Sequence, residues 1–473
     1  MNQRHLRDTE SLCIQCKRTI PAQIVARGTT VHMTKECAIH GPQEVQVSAN
    51  LDWYERIRAQ DPTLDAPKGK IRPVQRGCPH DCGPCDAHEQ RLHLPVVPIT
   101  SACNLDCPIC YTHNRNTDPY HMSKAELRRV LEQLRVMAPE QRIINITGGE
   151  PTIHPQFLDL LRLCRDEGIH RVTISTHGMK FLHDDSLLEA LAELDVRVIL
   201  SFDSFEQEAN VAMLGGRFLE PKLKVLDRLE HFGINTSLLP VLARGQNDHE
   251  VARFVELALA RDFIRSVEFH PMTFTGQSGV DFDRNARYDT YSVLADLEAA
   301  SGGAIRVDDF VAAPVAHPHC YVVTYLLRLA DGRWLPFTRF MEAERIRRLL
   351  RDGLYLEPST ETDREIQDVI TQLWAEEIDC PDRDLVLGAL RAMIDEMARD
   401  RENPMGAAER YTKAVYVHTH MDEETFDVER FRQCCIGMPD AHGRNIPSCA
   451  YNVVYRQQDE RFVPNGLVQI AGA

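Results

Sequence analysis

The sequence predicts an α/β protein: a partial (β/α)6, TIM-like barrel with a small N-terminal metal-knuckle domain before it and a mainly helical, cluster-binding C-terminal domain after it. Three observations predict this. Between residues 94 and 272, apolar runs of strand length alternate with helical periodicity six times, the pattern that parallel strands joined by crossovers require. The cysteines fall into groups at both ends and in the middle of the chain. The 473 residues carry 54 Lys+Arg against 70 Asp+Glu, a formal charge of −16, with 43% hydrophobic residues, which describes an acidic globular chain. The expected boundaries are 1–50 for the rubredoxin-like or zinc-knuckle domain, 51–93 for a linker with an auxiliary-cluster loop, 94–279 for the barrel and 280–473 for the C-terminal domain.

Composition also excludes function classes. No apolar run approaches the roughly 18 to 20 residues that span a bilayer, and the N-terminus lacks the apolar centre of a secretory signal. A cytoplasmic location with at most peripheral membrane contact is expected. The acidic balance argues against nucleic acid as a partner. In a reducing cytosol, 15 cysteines point to metal rather than to disulfides.

In chain order, Cys13 and Cys16 followed by Cys37 and His40 supply soft and imidazole ligands from two knuckles, which suits tetrahedral zinc or a rubredoxin-like iron. The alternative is another partner for the thiols, with His40 at the surface. Cys78, Cys82 and Cys85 form a C-x3-C-x2-C loop, and Cys103, Cys107 and Cys110 repeat the spacing. Three thiolates on one loop hold three irons of a [4Fe-4S] cube and leave the fourth open. For the earlier loop, a mixed zinc site with His80 or His88 is the alternative.

The barrel strands are expected at 94–100, 142–147, 171–175, 196–202, 235–243 and 266–271. Ser123 and Glu126 form a capping box ahead of a helix running to about residue 137, and further helices are expected near 156–167, 186–193, 221–232 and 248–261. In such folds the working groups sit at the C-terminal ends of strands. The first strand leads into Cys103, the second ends in Gly148-Gly149-Glu150-Pro151, and the next two end near Ser175 and at Ser201 and Asp203. Two glycines let a ligand approach the backbone, and Glu150 or Asp203 can accept hydrogen bonds from an amine or a ribose diol. Read alone, Gly148 to Pro151 is also an ordinary strand-to-helix turn.

Near the C-terminus, Cys434, Cys435 and Cys449 lie close in sequence, with Cys320 as a candidate fourth ligand and His317 or His319 as alternatives to it. Cys164 and Cys380 read as structural thiols. Residues 365–377 and 385–397 read as amphipathic helices that pack on the barrel or a partner, with a membrane-lying role as the sharper alternative. Arg345, Arg347, Arg348 and Arg351 read as a solvated helix face, with phosphate binding as the alternative.

The run CNLDCPICY at 103–111 together with GGEPT at 148–152 resembles the radical S-adenosylmethionine superfamily. The resemblance implies that Cys103, Cys107 and Cys110 hold a [4Fe-4S] cluster whose open iron is chelated by the amine and carboxylate of S-adenosylmethionine. It implies that Gly148, Gly149, Glu150 and Pro151 form the turn contacting the methionine amine, with Tyr111, Ser175, Ser201 and Asp203 as further cofactor contacts. The implied chemistry is reductive cleavage of the sulfonium to a 5′-deoxyadenosyl radical, driven by an electron donor such as a ferredoxin or flavodoxin.

The knuckle, the GCPHDCGPC loop at 77–85, LPVLARGQNDHE at 239–250, FHPMTFTG at 269–276 and CCIGMPDAHGRNIPSCAYN at 434–452 are similar to class D radical methyltransferases and tetraether lipid synthases. This implies a mononuclear metal, one or two auxiliary [4Fe-4S] clusters, and carbon–carbon bond formation or methylation at an unactivated carbon. The substrate expected first is a lipid chain, which needs a long apolar tunnel. The alternatives are methylation of a pterin-like small molecule, which needs a compact polar pocket, and a non-enzymatic iron–sulfur carrier or sensor.

Overall fold

In the computed structural model of the chain, residues 3–69, 72–112, 114–284, 287–357 and 359–463 are described. Four antiparallel strands, β1 (Gln3–Leu12), β2 (Thr19–Arg27), β3 (Thr30–Cys37) and β4 (Gly41–Ser48), pair in chain order. Their turns carry the two knuckles. This ribbon has only a small core of its own; Ala22, Ile24, Val31 and Met33 pack into the main hydrophobic core, and polar contacts add to that tie. Buried Lys35 donates to Ser11 Oγ at 3.0 Å and to the carbonyls of Glu423 and Glu424 at 2.9 and 2.8 Å. Arg7 pairs with buried Asp427. Helix α1 (Leu51–Arg58), capped by Asn50, buries Trp53, Tyr54 and Ile57.

The six expected strand runs are all present. Strands β5 (Leu94–Pro98), β6 (Ile143–Thr147), β7 (Arg171–Thr176), β8 (Arg197–Leu200), β9 (Thr236–Leu238) and, after the short β10 (Val241–Leu242), β11 (Ile264–Pro271) lie side by side and parallel in that order. The crossovers carry α2 (Lys124–Met137), α3 (Phe157–Asp166), α4 (Asp185–Glu193), α5 (Gln207–Leu214), α6 (Leu219–His231) and α7 (Val251–Ala260). Helix α2 begins at the expected capping box, with Ser123 accepting from the Glu126 amide and Glu126 reaching back to the Ser123 amide.

Strand alternation sets the character of the lumen. Ile144, Ile146, Val172, Ile174, Val198 and Leu200 are fully buried in one core with Leu127, Leu131, Leu160 and Leu161 of the helices. Residues alternating with them, Asn145, Ser175 and Ile199, face the opposite side. A parallel strand buried on both faces is usually apolar throughout. Here the inner face is largely polar, which makes the lumen a binding site rather than a filled core.

The sheet continues past residue 279. Strands β12 (Val311–Ala312), β13 (Tyr321–Arg328), β14 (Trp334–Pro336), β15 (Thr412–His418), β16 (Ile436–Pro439) and β17 (Asn445–Pro447) come from the C-terminal region. They extend both edges: β15 pairs parallel to β11, with β13 beyond it, and β16 pairs parallel to β5. The C-terminal region is thus helical, as expected, and also supplies two walls of the barrel. Its helices Thr360–Trp374 and Arg383–Arg399 turn Ile366, Val369, Leu373, Val386, Leu390 and Met393 into a core shared with Tyr325 and Tyr416 of the sheet, so these apolar residues are not left for a membrane. Among the described residues, no helix is long and apolar enough to cross a membrane. The arginine run is paired with acids: Arg345 and Arg348 with Glu365, Arg347 with Glu344, Arg351 with Glu361. Cys164 packs in the barrel core and Cys380 in the helical one.

Candidate functional site

The loop after β5 is held from three sides. Cys103 N donates to Asn116 Oδ1 (2.9 Å), Ile109 N to the carbonyl of Met213 (3.0 Å), and Ser278 N to the carbonyl of Cys110 (3.1 Å). The Gly148–Gly149 turn is bolted to the same loop: Gly149 N donates to Thr100 O at 2.9 Å and Glu150 N to Ala102 O at 2.8 Å. A Cβ on Gly149 would stand 2.2 Å from Ala102 O, and one on Gly148 would stand 2.4 Å from Thr100 O. Both positions therefore need glycine because the cysteine loop's own backbone packs there.

Cys103, Cys107 and Cys110 line one cavity of about 250 Å³ at the C-terminal ends of the strands. Burial pushes the thiols of Cys103 and Cys107 up to about 12, with the neighbouring Cys110 adding to both. Thiols raised in this way are stable as thiolates only beside cations, the condition that bound iron supplies. The other acids and imidazoles in the same wall have protein partners. Glu150, 1% exposed, accepts from Thr152 N (3.0 Å), Thr152 Oγ1 (2.6 Å), Thr176 Oγ1 (2.7 Å) and His177 N (3.0 Å). His177 Nε2 meets Asn104 Oδ1 at 2.8 Å. The resemblance makes Glu150 a contact of the methionine amine, whereas its carboxylate in this structure holds the turn, with Pro151 opening a short 3-10 helix behind it.

Asp203 is different. Its Oδ1 accepts from Val241 N at 3.0 Å, while Oδ2 is buried without a hydrogen-bond partner, 3.8 Å from Lys222 Nζ. Lys222, 2% exposed on α6, donates to the Ser201 carbonyl. Burial raises Asp203 and lowers Lys222, each opposed by the other's charge. A buried carboxylate oxygen that accepts no hydrogen bond, the buried ammonium beside it and a trio of thiols in one wall fit a cluster with a nucleoside-bearing zwitterion. Ser175 Oγ exchanges hydrogen bonds with Asn145 at 3.1 and 3.2 Å, and Tyr111 lies at the mouth, 40% exposed.

The ribbon brings together the set expected at its knuckles. Ligand atoms of Cys13, Cys16, Cys37 and His40 all lie within 4.8 Å of one another, with His40 Nδ1 3.3 Å from Cys13 Sγ and 3.5 Å from Cys37 Sγ. The Cys16 and Cys37 sulfurs are 4.0 Å apart, close to the roughly 3.8 Å of two thiolates on tetrahedral zinc. Although burial would raise it, Cys13 is drawn down to about 6 by the amide of Cys16, the Gln43 side chain and the amide of Gln15.

The remaining groups are also assembled. Cys78, Cys82 and Cys85 line a small cavity of about 30 Å³ that His88 also borders, while His88 Nε2 bonds the carbonyl of Cys434 at 2.9 Å. His80 is not part of that lining. The Cys434 thiol is raised well above its ordinary value by burial and then by the neighbouring thiols of Cys449, Cys435 and Cys320. Arg430 Nε donates to Cys320 Sγ at 3.4 Å. His319, offered as an alternative ligand, bonds the Tyr54 carbonyl at 3.0 Å and stacks on that ring at 3.9 Å.

Sequence reasoning missed Lys222, Asn145, Glu268, His270, His418 and His420, all in the wall of the main cavity. Only the last pair left a signal, two histidines two apart at a strand end. The others depend on which strands become neighbours.

Residues 97–258 match the Radical SAM superfamily, and residues 5–49 match the HMPTM N-terminal zinc ribbon domain. The chain thus carries a radical S-adenosylmethionine superfamily domain, the mark of a class of enzymes whose cofactors are a [4Fe-4S] cluster and S-adenosylmethionine, with a metal site in its N-terminal ribbon. It is 27% identical to the 7,8-dihydro-6-hydroxymethylpterin dimethyltransferase of Methanocaldococcus jannaschii, over 96% of this chain and 95% of that one. It is 32% identical to the GTP 3′,8-cyclase of Chlorobaculum tepidum over 37% of this chain and 53% of that one, so it spans about half the length of that relative. The crystal structure of SuiB from Streptococcus suis is similar with a TM-score of 0.37, at 21% identity over 46% of each chain.

Proposed function

We propose that this enzyme methylates a carbon of a pterin-like small molecule. The observation that carries the reading is the character of the cavity. It is compact, about 250 Å³, and its walls bear Asn145, Ser175, Asp203, Lys222 and Glu268 among the apolar residues. Below it, a second cavity of about 80 Å³ shares Ile199, Glu268 and Tyr355 as walls and is lined by Arg171, Arg197, Arg265 and Glu409. An aliphatic chain threaded through this lumen would desolvate charged groups without replacing their partners, which is costly. A flat heterocycle with donors and acceptors on its edge suits it. The lipid substrate expected first has no support here, and the end-to-end similarity to a pterin dimethyltransferase favours the alternative.

In this reading Cys103, Cys107 and Cys110 hold the cluster, while Asp203 and Lys222 meet the charged and hydroxylated parts of S-adenosylmethionine. Bound there, the pair supplies one-electron chemistry able to take hydrogen from an unactivated C–H bond. The chain's own part is orientation and exclusion. Gly148 and Gly149 keep the turn flush against the cysteine loop, and the sheet walls from β15 and β16 shield the reacting centre from water. Cys78, Cys82 and Cys85, and Cys320, Cys434, Cys435 and Cys449, are assigned to auxiliary clusters, with a ferredoxin or flavodoxin as electron donor.

The test is anaerobic incubation of the reconstituted protein with reductant, S-adenosylmethionine and 6-hydroxymethyl-7,8-dihydropterin. The expected outcome is 5′-deoxyadenosine together with a pterin heavier by one or two methyl groups. Formation of 5′-deoxyadenosine with no change in any pterin offered would refute the substrate class.

A further inference from the structure

Three histidines stand together on the wall of the main cavity, away from all four cysteine groups' sequence motifs. His270 is the penultimate residue of β11, and His418 ends β15, the strand paired parallel to it. They sit one residue beyond the Phe269–Val417 pair and are therefore cross-strand neighbours. His420 follows two residues later. Their ring centroids are 5.1, 5.2 and 4.2 Å apart, and one nitrogen from each lies within 4.8 Å of the others.

Glu268, 13% exposed and two residues before His270 on the same face of β11, supplies a carboxylate to two of them. Its Oε1 is 2.9 Å from His270 Nε2 and 3.5 Å from His418 Nδ1. Accepting at those positions places the ring protons there and leaves His270 Nδ1 and His418 Nε2 as lone pairs. Among the described residues, His420 has one side-chain contact of this kind, a sulfur of Cys449 at 3.8 Å from Nδ1. A packed core would not choose three adjacent imidazoles with free lone pairs on the wall of a cavity.

We propose that His270, His418 and His420 form a mononuclear site for a divalent first-row transition ion, Zn2+ or Fe2+, with Glu268 fixing the orientation of two of its ligands. Three imidazoles and an outer carboxylate are the donor set of such sites, and three protein ligands leave a coordination position open. That position faces the cavity, where it takes a water or an oxygen or nitrogen donor of the substrate. The site is independent of which substrate is methylated.

The test uses the full chain with its clusters reconstituted, exposed anaerobically to Zn2+ and desalted. Zinc, iron and acid-labile sulfide are then counted for the wild type, His418→Ala, His420→Gln and Glu268→Gln. The wild type is expected to hold one more sulfide-free metal ion per chain than either histidine variant, at equal sulfide. His420→Gln is the more conservative change and keeps the count readable if His418→Ala loses its clusters. Against a competing chelator, Glu268→Gln is expected to bind the ion about 10- to 100-fold more weakly. Equal metal content in the wild type and in a histidine variant of normal sulfide content overturns the site, and unchanged affinity in Glu268→Gln overturns the role of the carboxylate.

Discussion

Replacing Glu150 by Gln separates two roles for this residue. Family resemblance makes it a contact of the cofactor's amine; the structure makes it the acceptor that joins Thr152, Thr176 and the His177 amide behind the glycine turn. In Glu150→Gln, one oxygen can keep the Thr152 and Thr176 donors, and the new NH2 then points at the His177 N–H. One charge-assisted bond is lost and a buried donor is left facing a donor, a cost of about 2 to 3 kcal/mol. Because a chain with several metal centres does not unfold in two states, the assay is local. Hydrogen exchange of the peptide spanning 150–178 in the reconstituted protein is expected to speed up roughly 30- to 150-fold, the rate equivalent of that energy at 1.36 kcal/mol per tenfold. Unchanged exchange accompanied by weaker S-adenosylmethionine binding would refute the argument and restore the direct contact.

Gly149→Ala, whose Cβ would stand 2.2 Å from Ala102 O, should push the turn off the cysteine loop at a cost of about 1 to 3 kcal/mol; the expected result is a lower yield of the site-differentiated cluster by Mössbauer spectroscopy, with ribbon metal unchanged. Acid should destabilise the chain through His93 and His319, which burial holds at about 4 and about 3. A base depressed on folding binds its proton first in the unfolded state, so stability falls as pH drops from about 6.5 through these values, by up to about 3 to 5 kcal/mol for each group; anaerobic thermal melts across pH 4 to 7 check this, and His319→Gln should flatten the slope. Chelation of the ribbon metal should release protection at the amides of 13–18 and 37–41 while peptides of β6 to β8 stay protected, since the ribbon's turns are held by the ion and the barrel is not; exchange loss in the barrel would contradict that independence.

The strand–helix alternation was legible because each barrel element has a clear period: RIINIT and RVTIS are β-branched and strand-length, and Ser123 with Glu126 announces α2. The cysteine groups were legible because their ligands are close in sequence or share a spacing. Cys320 was harder, since it precedes β13 near one edge of the sheet while Cys434, more than a hundred residues later, precedes β16 near the other, so nothing local in the sequence links the two thiols. The partnering of Glu150 was illegible for a similar reason: its four hydrogen-bond donors are ordinary Thr hydroxyls and backbone amides, two of them on β7 or just past it, and none has a sequence signature.

The chemistry on offer is written locally in the chain: three thiols on one loop, a glycine turn one strand later, a four-ligand ribbon, and parallel strands to hold them at one rim. Those features are local, set by spacing and period. The tertiary structure alone decided what that rim encloses. Whether the lumen is a greasy tunnel or a polar pocket depends on which face of each strand turns inward, and on β15 carrying His418 to His270 and Glu268. Neighbours of that kind are created by the folding of distant segments into one sheet, and a one-residue change of register would have turned the other set of side chains inward.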